Sequence, residues 1–172
     1  DVMPADLNER AIERSCGLAD PGEVAAALAL AKAQSISAQW PDRLVIGADQ
    51  TLALGKKRFS KPDDRNAARR QLLELRGLTH TLYSALAVVR GGEVQFAHRA
   101  EARLTLRRFS DEFLESYLDA AGEGVMTSVG AYQLEKFGSQ LFEAIEGEYF
   151  TILGLPLLPL LAYLRRDGYL LA

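Results

Sequence analysis

Leu44-Val45-Ile46-Gly47-Ala48-Asp49-Gln50-Thr51 reads as a buried strand that ends in a carboxylate. Its apolar half carries the backbone outward, its small residues clear space, and Asp49 is expected where the strand stops. Ligands of open α/β folds gather outside the carboxyl ends of strands, so an Asp there is a candidate for chemistry. Ten residues after Gln50 comes Ser60-Lys61-Pro62, whose lysine would meet a negatively charged substrate. On the residues alone a second reading stays open, in which Asp49 caps a turn and Lys61 is a solvated surface charge.

Elements alternate on either side of this stretch. Upstream, Asp20-Pro21-Gly22-Glu23 has the form of a helix start, and the alanine-rich segment after it predicts helix through Gln39, broken by Pro41-Asp42. Downstream, Leu52 to Leu54 and the Gly55-Lys56-Lys57-Arg58 turn predict a short hairpin arm. Asp63 is expected to cap a helix reaching Leu75. Thr79 to Val89 and Val94 to Leu106 form the clearest hairpin, turning at Arg90-Gly91-Gly92-Glu93. Ser110-Asp111-Glu112 opens a helix to Ala121, with acidic residues in its first turn. Short strands are expected at Leu141 to Ile145 and Tyr149 to Leu153, then a buried C-terminal helix opened by Pro156. No repeat or linker interrupts the chain, so residues 1–172 read as a single domain of α/β class.

Composition excludes several classes. The net charge of -3 argues against a binder of polymeric nucleic acid, which needs a basic stripe. Cys16 is the only cysteine, so neither an intrachain disulfide framework nor a thiolate cluster is possible, as fits a reducing cytoplasm. With only His80 and His98 as histidines, any metal should be a hard cation held by oxygens. The start, Asp1-Val2-Met3-Pro4, has no signal-peptide pattern. The most apolar run, Ile152 to Leu164, is short for a membrane span and contains Pro156 and Pro159. A soluble protein with no membrane partner is expected.

Five segments occur in an order that resembles the Maf proteins: Ile46-Gly47-Ala48-Asp49-Gln50, Ser60-Lys61-Pro62, Gly130-Ala131-Tyr132, Ile145-Glu146-Gly147-Glu148-Tyr149 and Leu153-Gly154-Leu155-Pro156-Leu157. The resemblance runs from Ala5 to Arg166. It implies an elongated mixed sheet flanked by helices, similar to the inosine triphosphate pyrophosphatase fold. It also implies hydrolysis of a nucleoside triphosphate between the α- and β-phosphates, a magnesium or manganese cofactor, a homodimer and a cytoplasmic house-cleaning role.

Carried over residue by residue, the resemblance makes Asp49 the catalytic carboxylate and puts Glu9 beside it at the metal. Asn8 stands where the pattern often has Asp, which reduces the acidic cluster. Lys32 and Lys61 match lysines that face the phosphates, a task suited to a compact, mobile charge. On the residues alone, Glu9 and Lys32 also read as solvated helix charges. His80 is expected to make a structural hydrogen bond and Tyr132 to pack.

Gln50 and Glu135 bear on the base. Members of the family that favour thymidine or uridine triphosphate carry Thr and Gln at these two positions. The pair found here looks like the branch that hydrolyses 7-methyl-GTP. A carboxylate accepts both neighbouring N–H donors of a guanine edge, and N7 methylation adds positive charge to the base. The plainer reading of Glu135 is a surface salt bridge. The pattern also opens with a strand and a Ser-x-Ser-Pro-Arg-Arg-like loop that binds phosphate. The residues from Asp1 onward carry neither, and the expectation is that this N-terminal segment has been left out. Two other readings are a catalytically silent nucleotide-binding regulator of division or nucleotide pools and a purely structural interaction domain.

Overall fold

The computed structural model describes residues 1–171. In chain order the elements are α1 (Glu9–Cys16), α2 (Pro21–Ser37), β1 (Val45–Leu54), β2 (Lys57–Phe59), α3 (Arg65–Leu75), β3 (Thr79–Arg90), β4 (Glu93–Leu106), α4 (Asp111–Ala121), β5 (Phe142–Glu146), α5 (Tyr149–Ile152) and α6 (Leu157–Arg166). Short 3-10 turns at Gly122–Met126, Val129–Ala131 and Phe137–Leu141 punctuate the stretch between α4 and β5. The strands make one open sheet in the order β2-β1-β3-β4-β5. β1 pairs antiparallel with β2 through Leu52 and Phe59, and β4 antiparallel with β5 through Leu104 and Ile145. The expected α/β class holds. The side chain of Cys16 lies outside the described residues. Among them, no helix is long and apolar enough to cross a membrane.

The chain divides into two compact units, to both of which β1, β3 and β4 contribute residues. The first comprises Asp1–Gln50, Tyr83–Glu101 and the residues from Gly154 onward. Its packing is thin and alanine-rich: Ala25 and Ala29 of α2 meet Ala85, and Ala33 meets Ala87 and Val89. Small side chains at this spacing let a helix lie close to a sheet. Asp20 caps α2, its carboxylate accepting from the Glu23 amide at 2.8 Å, as the sequence predicts. Gly91 and Gly92, both at positive φ, turn β3 into β4, where a side chain would be strained. A second cluster holds Leu160 and Tyr163 of α6 against Leu86 and Val88.

The second unit comprises Thr51–Leu82 and Ala102–Leu153. Its core is built of larger groups, including Leu52, Leu72, Leu104, Leu114, Tyr117 and Tyr132. Each fully buried leucine of this kind contributes about 1.5–3 kcal/mol.

Four local expectations are corrected. β1 does not end at Asp49, because Leu52 to Leu54 continue it into the pairing with β2. Asp49 is therefore a mid-strand residue and does not stand at the carboxyl end of β1. Nor is the first half of β1 fully buried, since Ile46 is 43% exposed. The cap of α3 is Asp64, not Asp63; its carboxylate accepts from the Ala67 amide at 2.6 Å. Tyr149 to Ile152 is a helical turn where a strand was expected. The Glu148 carboxylate accepts from the Phe150 and Thr151 amides at 3.0 and 2.9 Å, and this cap outweighs the β preference of Tyr, Phe, Thr and Ile. Pro156 precedes the first residue of α6, which is amphipathic; Leu160 and Tyr163 are buried while Leu158 faces out.

Candidate functional site

Close approach of α2 to β1 builds the site. Gly47 is buried, and a Cβ added there would lie 2.7 Å from the Ala33 nitrogen and 2.9 Å from its Cβ. Contacts so short leave room for nothing larger than hydrogen. Alternation along a strand puts Asp49 on the same face as Gly47. Lys32, the neighbour of Ala33 on α2, donates from Nζ to Asp49 Oδ1 at 2.5 Å. The small residues of both elements thus set how far the lysine must reach.

Glu9 enters from a third element. Asn8 caps α1, its Oδ1 accepting from the Ala11 amide at 3.0 Å. The residue that seemed to weaken the acidic cluster therefore starts the helix that holds Glu9. Glu9 opens α1, where the helix dipole favours a negative charge, and its Oε1 lies 2.8 Å from Lys32 Nζ. One ammonium thus holds two carboxylates from separate elements. Solvent reaches the three side chains unequally, with exposures of 50% for Glu9, 25% for Lys32 and 11% for Asp49.

Burial by itself would lower the Lys32 pKa, but hydrogen bonds and charge from Asp49 and Glu9 outweigh it and raise it above the ordinary value of 10.5. Lys32 therefore carries its positive charge throughout the physiological pH range. Beside the cluster, within the same unit, a cavity of about 460 Å³ is lined by Lys32, Gly47 and Ala48 and by Ile36, Trp40 and Arg43. The Arg43 guanidinium lies over the Trp40 ring at 4.7 Å.

Gln50 points to the other face of β1, and its Nε2 donates to Ser84 Oγ at 2.8 Å. Ser84 is fully buried on β3. Sequence reasoning missed it, although a lone serine between Leu82 and the apolar run Ala85 to Val89 was a usable signal.

Lys61 and Glu135 belong to the second unit, where both are exposed. So do His80 and Tyr132, which share a 2.6 Å hydrogen bond between His80 Nε2 and the Tyr132 hydroxyl. This is the structural hydrogen bond expected of His80. Burial lowers its pKa from 6.5 to about 4, so the ring is neutral at physiological pH. Nearby, the Tyr117 hydroxyl donates to the Ala131 carbonyl at 3.0 Å. Ala131 is the only non-glycine residue at positive φ among the described residues. These hydrogen bonds hold a strained turn, as the burial of every partner allows.

The Maf-like protein family model matches residues 1–167. A protein of Rhodopseudomonas palustris named nucleoside triphosphate pyrophosphatase is 54% identical over 170 residues, covering 99% of this chain and 84% of that protein. Proteins of the same name from Nitrobacter hamburgensis and Paramagnetospirillum magneticum are 51% and 52% identical. They are covered over 84% and 88% of their lengths, with 99% and 98% of this chain matched. With matches of this extent, the chain belongs to the Maf family.

Proposed function

We propose that the protein is a nucleoside triphosphate pyrophosphatase that cleaves between the α- and β-phosphates and prefers a modified purine nucleotide such as 7-methyl-GTP. The observation that carries this reading is the convergence of Glu9, Lys32 and Asp49, in a chain whose relatives bear that name.

In the proposed reaction Asp49 accepts a proton from water, whose oxygen bonds to the α-phosphorus as the bond to the bridging oxygen breaks. Pyrophosphate leaves and the monophosphate remains. Lys32 and Lys61 offset phosphate charge, and the carboxylates of Asp49 and Glu9 keep Lys32 protonated despite its partial burial. Gln50 and Glu135 read the base, with the Gln50 amide tied to Ser84.

A magnesium or manganese ion fits the donor set. Glu9 and Asp49 each put an oxygen on the same cationic nitrogen, so the pair already gathers around one positive centre. Two carboxylates, with other positions left to water and phosphate, form the ligand set that magnesium takes. Among the described residues no group of three or more His, Cys, Asp or Glu makes a fuller cage. When bound, the ion would neutralise the charge that develops on the phosphates.

The test is release of pyrophosphate by the full-length protein across a panel of nucleotides. Pyrophosphate and monophosphate should appear, vanish with a chelator and return with magnesium or manganese. Release of orthophosphate would sink the reading in favour of a different phosphohydrolase, and release of nothing would sink it in favour of a silent nucleotide binder. Within the same panel, Gln50→Thr with Glu135→Gln should lower the ratio of kcat/KM for 7-methyl-GTP over UTP by roughly one to two orders of magnitude, as expected when donors face donors. An unchanged ratio would move selectivity to other residues.

A further inference from the structure

We propose that Lys32 is a placeholder cation: its ammonium holds Glu9 and Asp49 together until a divalent ion takes the two carboxylates, and the lysine is thereby released to the substrate phosphates. This rests on the function proposed above and adds a second post for one of its residues. Lys32 Nζ lies 2.8 Å from Glu9 Oε1 and 2.5 Å from Asp49 Oδ1. A divalent ion bound by both oxygens would need the space that the ammonium now fills, and two positive centres do not share it. The lysine can also leave. Its side chain is 25% exposed and lines the cavity beside the cluster, and a four-carbon stem with free rotors lets the charge swing while the backbone stays. Without that charge, two carboxylates would face each other across a part-buried gap, which costs energy unless a cation fills it.

The arrangement has a thermodynamic consequence. Metal binding must first break the two contacts of Lys32, so the lysine weakens metal affinity while keeping the ligands in place. It also means that the lysine becomes available to phosphate only once the metal is seated.

The experiment is a titration with Mn2+ alone, followed by its paramagnetic spectrum, on the full-length protein and on Lys32→Met, a neutral chain of similar length. Lys32→Met should bind Mn2+ roughly tenfold more tightly, as when an ion pair of modest strength no longer competes. Equal or weaker binding by a folded variant would overturn the proposal. Loss of a neighbouring positive charge also tightens binding through space, so a second measurement decides. Lysine side chains carrying 13C-methyl labels are followed by NMR as Mg2+ is added to the parent, with the Lys32 signal identified by its loss in Lys32→Met. Displacement should move that signal and leave the other lysines still. A Lys32 signal unchanged at saturating Mg2+ would overturn the proposal. The pyrophosphatase reading fails separately, if no nucleotide yields pyrophosphate.

Discussion

Two polar clusters, one in each compact unit, use hydrogen bonds for opposite ends. Glu9, Lys32 and Asp49 are charged and part-exposed, and side-chain atoms of all three meet at one nitrogen. His80, Tyr132 and Tyr117 are buried and neutral, and they hold backbone and ring positions around Ala131. The first cluster keeps its charges within reach of solvent. The second is buried and serves to maintain a strained turn. Charge with access to water is what a reaction needs, whereas a buried neutral bond chiefly specifies shape.

That contrast predicts activity without stability in one cluster and stability without activity in the other. The largest expected effect is that of Asp49→Asn, which should lower kcat by a factor on the order of a hundred or more with little change in Tm. Turnover near the parent's at saturating metal would remove Asp49 from the chemistry and blur the comparison.

The second effect concerns pH. His80 has a pKa of about 4 in the folded protein against about 6.5 in an unfolded chain. The unfolded state therefore binds more protons between these values, and the stability due to neutral His80 is complete above pH 6.5 and lost as the pH falls toward 4. On this basis the protein should lose about 2 kcal/mol between pH 7 and pH 5. In His80→Gln, which does not titrate, denaturant melts at the two pH values should differ by correspondingly less. An equal slope in parent and variant would show that other groups govern acid stability.

The smallest effect is expected from Tyr117→Phe, which leaves the Ala131 carbonyl buried without its partner. A loss of about 1 kcal/mol in Tm-derived stability, with kcat at neutral pH unchanged, would sharpen the contrast. A fall in kcat with no loss of stability would mean that the turn acts on the reaction directly.

Most helices were legible in the sequence because their caps are local. Asp20, Ser110 and the Gly91-Gly92 turn each declare themselves within four residues. The miss at Tyr149 to Ile152 shows the limit of that reading, since the preferences of four residues pointed to a strand and the one carboxylate just before them, Glu148, decided for a helix. Asp49 was recognised for a reason that did not hold. Its strand runs on because Leu52 finds Phe59 across a turn; the hairpin arm expected at Leu52 to Leu54 is there, but as a continuation of the same strand. Glu9, Lys32 and Asp49 could be named from the resemblance, but their meeting on one nitrogen depends on how closely a helix lies on a strand. Gly47 and the alanines of α2 permit that distance, but neither segment by itself shows that the other is its partner.

The distance is governed by Gly47, and the obstacle facing any side chain there is largely backbone, at the Ala29 carbonyl and the Ala33 amide. Trimming a side chain on α2 cannot remove a peptide group, so no compensating substitution along the helix makes room at position 47. A Cβ at that position can be accommodated only by translating α2 as a body, and Lys32 would travel with it. The fault would therefore be felt at Asp49, two residues along the strand, and a screen for second-site suppressors should find them at the ends of α2, where Arg99 on Glu23 and the Gly92 amide on Ser37 Oγ anchor the helix.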